Sequence, residues 1–164
     1  MIERVNKDNL AEYEEFIKRH PKGLFQHSSK WAKVKSNWKW EAIMLKDKNG
    51  EIKGSAAALI RFVPVIKYSL FYICRGFVAD ENDFETFDAL FDGIKQLAKE
   101  YKAYCIKIDP EIVVQNTAYK QHLIEKGFKE LNPGCLDFEN VQPRFVYCFD
   151  YNGLSEDELM LTFK

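Results

Sequence analysis

The stretch Tyr104-Cys105-Ile106-Lys107-Ile108-Asp109-Pro110 decides the fold of this chain. It is short, apolar and rich in strand-forming residues, and segments with helical spacing of apolar residues lie on both sides of it. We therefore expect an interior β-strand that delivers Asp109 into a loop. Ligands gather at the carboxyl ends of strands in open α/β sheets, which makes Asp109 the first candidate functional residue. The alternative is that Asp109 only forms a turn before Pro110.

The composition is that of a folded domain. The chain has 164 residues, of which 46% are hydrophobic and 15% aromatic. These values favour a packed core and argue against disorder. The formal net charge is −1, so no global positive field attracts nucleic acid. Any contact with RNA must then be local or be made by residues outside this chain.

The sequence contains no recognisable export or metal-binding signal. The amino terminus lacks the apolar run of a signal peptide, and no stretch approaches the roughly 20 apolar residues that span a bilayer. We therefore expect a cytoplasmic protein, at most at the inner face of the membrane. Cys74, Cys105, Cys135 and Cys148 are too far apart for the paired spacing of a zinc site. Cys74 and Cys105 lie in apolar runs, which predicts two buried free thiols.

Apolar periodicity predicts the helices. They cover 6–20, a second helix that begins after Ser28 or Ser29 and carries Trp31, Val34 and Trp38, then 83–101, 116–127, and a last helix capped by Ser155. Phe25-Gln26-His27 is predicted to be a short extended link before the second helix. On that helix Lys35 follows Trp31 by one turn, so the two side chains should lie on one side.

Alternating and apolar runs predict the strands. They cover 40–46, 52–63, 68–74, 104–108, 128–131 and 145–150. Asp47-Lys48-Asn49-Gly50 predicts a hairpin turn, because Asn-Gly tolerates positive φ. The small residues Gly54-Ser55-Ala56-Ala57-Ala58 would let a helix or a ligand approach the sheet closely.

This order of elements predicts an α/β fold. Two helices, a meander of three strands and then alternating helices and strands indicate a central mixed sheet, mostly antiparallel, with helices on its faces. No internal repeat or linker is visible, so we expect residues 1–164 to form a single domain. The chain stops inside a helix that has just been capped and has no stop signal. We therefore expect it to be the first part of a longer protein.

The residues that could carry chemistry lie at the ends of these elements. They are Lys35, Arg75, Tyr104, Asp109 and Arg144. Cations and an acid could serve a phosphate-bearing substrate and a proton transfer. No phosphate-binding loop, dinucleotide fingerprint or serine-hydrolase elbow is present, and the three histidines show no ligand spacing. From the residues alone, the chain is a mixed α/β domain with a candidate anion site.

Five segments in order resemble motifs of the FemABX family. Phe25 to Lys35 resembles "F-Q-S-x-x-W-x-x-V-K", and Cys74-Arg75-Gly76-Phe77-Val78 with Asp80 resembles "P-R-G-P-V-x-D"; Lys107 to Pro110 resembles "K/R-I-D-P", Gly127-Phe128 its "G-F", and Gln142-Pro143-Arg144 its "Q-P-R". The resemblance covers nearly the whole chain. It departs from the family at His27, where serine is common, and at Cys74 and Phe77, which replace prolines.

The resemblance implies a GNAT-like fold and an aminoacyltransferase of cell-wall and cell-shape biogenesis. Such an enzyme takes an aminoacyl group from aminoacyl-tRNA, its co-substrate, and needs no other cofactor and no metal. The acceptor is an amine on the stem peptide of a peptidoglycan precursor carried on lipid or UDP. Carried over by motif, Lys35 would contact the phosphate region of the precursor, and Tyr104 and Asp109 would lie by the stem peptide and the amine. Arg75 would bind substrate in a role that the motif does not define.

The family places its site between two GNAT-like domains, and the second is absent from this chain. The resemblance therefore implies that residues 1–164 alone are inactive or nearly so. Two other functions stay open at this point. An acyl-CoA-dependent N-acetyltransferase would need a glycine-rich pyrophosphate loop at a helix start, and no such loop is visible. A non-catalytic interaction module would keep the fold without using Asp109.

Overall fold

The computed structural model describes residues 1–131 and 153–162, and it divides the chain into two compact units, 1–129 and 130–164. The first unit contains a five-stranded sheet and four helices. The strands are β1 (Ile2–Arg4), β2 (Lys39–Lys46), β3 (Ile52–Phe62), β4 (Ser69–Ile73) and β5 (Ala103–Ile108); the helices are α1 (Leu10–Arg19), α2 (Ser29–Val34), α3 (Phe84–Glu100) and α4 (Thr117–Glu125). The second unit contributes α5 (Glu156–Thr162).

The strands follow one another across the sheet in the order β1-β2-β3-β4-β5. The first three neighbouring pairs are antiparallel, and β4 and β5 are parallel. The predicted mixed, mostly antiparallel sheet is therefore confirmed. Strand β1 was not predicted, because it is too short to show an alternating pattern: only three residues pair, from Ile2 opposite Leu45 to Arg4 opposite Ile43.

The predicted hairpin turn joins β2 to β3. The carboxylate of Asp47 accepts hydrogen bonds from the N–H groups of Asn49 and Glu51 at 2.8 and 2.9 Å. Gly50 takes φ +85°, which glycine adopts at little cost. The turn thus fixes the register in which β2 and β3 pair.

The larger core lies between the sheet and α3. Phe87, Leu90 and Ile94 of α3 pack on buried residues of β2, β3 and β4. The small residues of β3 allow this approach, because a Cβ on Gly54 would stand 2.8 Å from Cγ2 of Thr86. The expectation that this segment admits a helix close to the sheet is confirmed.

A second cluster packs α1 against the other face of β2 and β3. Tyr13 and Ile17 contact Ala42, Met44 and Ala57, and every one of these side chains is buried. The cluster includes no residue of β4 or β5. The sheet of the first unit is therefore covered on both faces at β2 and β3 but more heavily on one face at β4 and β5.

Several predicted boundaries differ from the structure. The first helix begins at Leu10 after Asn9 instead of near Asn6, where the backbone N–H of Asn6 donates to Oδ1 of Asn9 and holds a turn. The second helix ends at Val34, so Trp38 lies beyond it. Residues 128–131 form no strand. The predicted strand 145–150 and the residues Cys135, Cys148 and Arg144 lie outside the described ranges.

The strand that ends at Asp109 was predicted to be interior, and this was wrong for the sheet that the structure describes. There β5 is the terminal strand and has β4 as its only neighbour among the described strands. Its residues are exposed or half-buried, and Cys105 is exposed, although it was predicted to be buried. The apolar run reflects strand propensity and not burial. Cys74 is buried as expected.

The second unit is described at α5. The N–H of Ser155 donates to the carboxylate of Glu158 at 2.8 Å, and the Ser155 hydroxyl accepts from the Glu158 N–H at 3.4 Å. This reciprocal pair is a capping box and confirms Ser155 as the start of the last helix. Among the described residues of the whole chain, every helix is too short or too polar to cross a bilayer.

Candidate functional site

The turn after β4 carries the arginine that the sequence singled out. Arg75 and Gly76 both take left-handed backbone conformations, with φ +60° and +83°. A Cβ on Gly76 would stand 3.0 Å from Cα of Pro110, so a side chain there has no room. Because a non-glycine residue at positive φ is strained, the surrounding contacts must hold Arg75 in this conformation.

The parallel pairing of β4 and β5 brings this turn to Asp109. Ile73 lies opposite Ile108, so both strands end at the same edge of the sheet. The N–H of Arg75 donates to Oδ1 of Asp109 at 2.8 Å, and the carbonyl of Arg75 accepts from the N–H of Glu111 at 3.4 Å. The structure thus joins two of the predicted site residues, which are 34 positions apart in the chain.

The environment of Asp109 makes its carboxyl group harder to ionise than a free one. Burial raises its pKa, while the N–H of Arg75 and the hydroxyl of Tyr72 act in the opposite direction. Burial prevails. A carboxylate with a raised pKa accepts a proton more readily, which is the property that a general base for an ammonium group needs.

Lys35 follows α2 and is near enough to this end of β4 for its charge to act on Cys74. It caps the carboxyl end of α2, and its ammonium group stands 5.2 Å from the centre of the Trp31 ring. The predicted shared side of Lys35 and Trp31 is therefore confirmed. The thiol of Cys74 responds electrostatically to Asp109, Arg75 and Lys35, although burial is the main reason that its pKa is raised. Lys35, Arg75 and Asp109 are therefore all near enough to this thiol for their charges to affect it.

Tyr104 lies apart from the other candidates. It occupies the beginning of β5, whereas Asp109 follows its end, so about 16 Å of extended strand separates them. Its side chain is 62% exposed. The structure therefore brings Arg75, Asp109 and Lys35 to one end of the sheet and leaves Tyr104 towards the other end.

His27 is a contributor that the sequence analysis did not select. Its segment, predicted to be extended, instead makes two turns, with His27 N–H bonded to Leu24 O and Ser28 N–H bonded to Phe25 O. The ring is buried, and its Nδ1 accepts from the N–H of Leu24 at 3.0 Å. Burial lowers the pKa of His27 to about 4, against the opposing effect of the backbone at Gly76 and Cys74.

The neutral ring of His27 therefore packs beside the turn that carries Arg75. The hydroxyl of Tyr13 donates to the carbonyl of His27 at 2.8 Å and ties this contact to α1. The signal that could have revealed His27 is its position in the motif around Trp31, where it replaces the usual serine.

Two hollows on the described surface can be compared with the predicted site residues. The larger, about 400 Å³, lies beside α1 and is lined by residues that include Glu14, Lys18 and Phe25. None of the four predicted site residues lines it. The smaller, about 20 Å³, is lined by residues that include Arg75, Pro110 and Tyr119, and it has room for about one water molecule. The hollow beside Arg75 is therefore too small to hold a substrate by itself.

The fold matches that of solved structures described as acetyltransferases. A solved structure described as a probable acetyltransferase is 14% identical, aligns with a TM-score of 0.60, and covers 92% of this chain and 99% of its own. At that identity the likeness establishes the GNAT fold alone. The structure of FemX is 38% identical and aligns with a TM-score of 0.68 over 77% of this chain and 32% of its own.

The chain belongs to the FemAB family, whose model matches residues 9–164. A curated relative from Staphylococcus aureus, named Lipid II:glycine glycyltransferase, is 38% identical over 99% of this chain. The relative of that name from Staphylococcus epidermidis is 36% identical over the same share. In both cases the chain spans 39% of the relative's length.

Proposed function

We propose that this chain is part of an enzyme that transfers an aminoacyl group to an amine on the stem peptide of a peptidoglycan precursor. Family membership and the names of the two relatives support the class of reaction. The observation that carries the proposal is the bond between the Arg75 N–H and Asp109, because it joins two motif positions at the carboxyl edge of β4 and β5.

Asp109 orients the acceptor amine or removes its proton. An ammonium group must lose a proton before its nitrogen can attack the carbonyl carbon of an aminoacyl ester. The new C–N bond forms as the ester C–O bond breaks, and the departing ribose oxygen takes up a proton. The raised pKa of Asp109 suits the first of these proton movements.

The other predicted residues bind the acceptor. Lys35, exposed at the end of α2, is placed to contact a phosphate of the precursor. Arg75 lines the small hollow with Pro110, and its charge favours the ionised form of Asp109. Tyr104, towards the other end of β5, would contact a more distant part of an extended stem peptide.

The donor is aminoacyl-tRNA, which acts as a co-substrate and not as a resident cofactor. The formal net charge of the chain is −1, so a second GNAT-like domain outside it is the expected site of tRNA contact. We expect that domain to complete the cleft at the Arg75–Asp109 end, and we expect the reaction to take place on the cytoplasmic side of the membrane.

Residues 1–164 alone should therefore show little or no transfer. The measurement is aminoacyl transfer by residues 1–164 compared with the full-length protein, with a lipid-linked precursor and a panel of charged tRNAs. Full turnover by residues 1–164 would show that the site is complete without a second domain.

The direct test of the proposal is Asp109→Asn in the full-length protein. Asparagine can still accept the hydrogen bond from the Arg75 N–H but cannot take a proton, so transfer should fall about 100-fold or more. Asp92→Asn is the matched control, because Asp92 is an exposed carboxylate paired with Lys95 on α3. Equal turnover of the two variants would remove Asp109 from the chemistry. Tight binding of acetyl-CoA in a calorimetric titration would favour the acetyltransferase alternative.

A further inference from the structure

The loop between β3 and β4, residues 63–68, exposes apolar side chains that a folded domain ordinarily covers. Val65 is fully exposed, and Ile66 and Tyr68 are 53% and 52% exposed. Phe62, at the base of the loop, is also exposed on one side and contacts the Tyr101 ring on the other. Contiguous exposed apolar groups of this kind mark interaction surfaces.

The backbone holds these side chains outward at a cost in strain. The loop is closed by the Val63 N–H, which donates to Tyr68 O at 2.9 Å. Val65 is the central residue of a three-residue turn, in which the Ile66 N–H donates to Pro64 O at 2.9 Å. Val65 takes φ +73° there. A β-branched residue at positive φ is an outlier, and this form of γ-turn is rare and strained.

Within the chain segment that forms the loop, every charged residue is positive. No Asp or Glu occurs between Glu51 and Asp80, while Lys53, Arg61, Lys67 and Arg75 fall in that stretch. Arg61 and Lys67 flank the apolar tip, and both are exposed. Lys102 lies at the base, because its carbonyl accepts from the N–H of Ser69 at 3.2 Å. This local charge contrasts with the net charge of −1 for the whole chain.

We propose that the β3–β4 loop docks on an anionic lipid bilayer. Val65 and Ile66 enter the boundary between headgroups and acyl chains, and Tyr68 lies at headgroup level with its apolar ring inward and its hydroxyl outward. Arg61, Lys67 and Lys102 face the anionic headgroups. Charge complementarity favours this occupant over a second copy of the chain, whose loop would present the same cations.

The test is sedimentation of the chain with vesicles made of equal parts phosphatidylglycerol and phosphatidylcholine. Binding should occur, should weaken with added salt, and should be much lower on pure phosphatidylcholine. The vesicles contain no acceptor, so the outcome is independent of aminoacyl transfer. Absence of binding to the anionic vesicles would overturn the proposal while leaving the proposed function untouched.

Two loop variants locate the surface. Val65→Asn with Ile66→Ser should lower the partition coefficient at least about tenfold, and Lys67→Glu should lower it about tenfold. The thermal midpoint of this double variant should be unchanged or higher, because asparagine at position 65 tolerates positive φ. A failure to fold therefore would not explain a loss of binding.

The chain offers a matched control in the loop after β5. Val113 and Val114 are 64% and 87% exposed, but Glu111 is the charged residue nearest to them in sequence. Val113→Asn with Val114→Ser should leave vesicle binding unchanged. Equal losses from the two loops would overturn the proposal. A concentration-dependent dimer that disappears in the Val65→Asn, Ile66→Ser protein, without vesicle binding, would also overturn it and would assign the loop to a contact between copies.

Discussion

Strands β2 and β3 form a sealed half of the sheet, in which helices cover both faces, whereas β4 and β5 form an open half that is less covered. Strands β2 and β3 contain long uninterrupted buried runs, because α3 covers one face and α1 the other. In β4 buried and half-buried residues alternate, and β5 contains no buried residue. The sealed half pairs antiparallel, whereas the open half is a parallel pair.

The difference separates stability from chemistry. The carboxyl ends of two antiparallel neighbours lie at opposite edges of the sheet. The polar residues that follow such strands are therefore not brought together. The carboxyl ends of the parallel strands β4 and β5 lie at the same edge. This brings Arg75 and Asp109 within hydrogen-bond distance. The candidate site therefore lies where the sheet is least buried, and the sealed half supplies the rigid support for it.

The largest expected effect is a buried charge in the sealed half. Ala58 is fully buried on β3 between the sheet and α3. Ala58→Asp should lower the free energy of unfolding by more than about 4 kcal/mol, because the carboxylate would have no partner there. Cys105→Asp, the same chemistry on exposed β5, should cost less than about 1 kcal/mol. Urea unfolding measures both, and similar losses would contradict the division into halves.

Acid should lower the free energy of unfolding through the buried ring of His27. The folded pKa of about 4 lies below the ordinary 6.5, so between these values the unfolded chain binds more protons than the native one. Stability is therefore full above pH 6.5 and falls as pH decreases towards 4, by about 3 kcal/mol. In His27→Gln this part of the pH dependence should vanish.

The measurement is the free energy of unfolding across that pH range for both proteins. Burial also lowers the pKa of His20, and that contribution is present in both. An identical pH slope in the wild type and in His27→Gln would show that the His27 ring is already protonated or solvated in the native state.

The hydrogen bond that holds the open edge has a smaller expected effect. Asp109→Ala leaves the N–H of Arg75 without its acceptor, which should cost about 2 kcal/mol. Asp109→Asn keeps an acceptor and removes a charge that burial disfavours. Its stability should match or exceed that of the wild type in thermal melts. If both variants lose the same stability, the carboxylate charge itself supports the fold.

Lys35→Ala should have the smallest effect on stability. Lys35 is exposed and contacts Trp31 through its ammonium group, a contact worth less than about 1 kcal/mol. Binding of a soluble nucleotide-linked precursor to the full-length protein should nevertheless weaken about tenfold. Lys33→Ala, an exposed change on the same helix, should leave calorimetric affinity unchanged. Equal affinities for the two variants would assign the phosphate contact elsewhere.

The sequence predicted what local patterns determine. The amphipathic spacing of α3, the Asn-Gly hairpin and the small residues of β3 each act over a few positions, and all were confirmed. The predictions failed where contacts with residues distant in the sequence determine burial. The apolar run of β5 predicted burial, yet coverage depends on which helices reach that strand, and Cys105 is exposed.

The candidate site shows the same limit. Motif positions identified Arg75 and Asp109, but only the parallel register shows that they are hydrogen-bonded. His27 was passed over because a lone histidine carries no spacing signal, and its place beside the Cys74–Gly76 turn comes from the fold. The extended geometry of β5 also separates Tyr104 from Asp109, although the two residues are close in the sequence.

Hydrogen exchange of the full-length protein with and without a stem-peptide acceptor tests most directly whether the open half is the substrate surface. Added acceptor should slow exchange at the end of α2, at 73–76 and at 108–111, and should leave β1 to β3 unchanged. Protection confined to the hollow beside α1, with none at Arg75 or Asp109, would contradict the account.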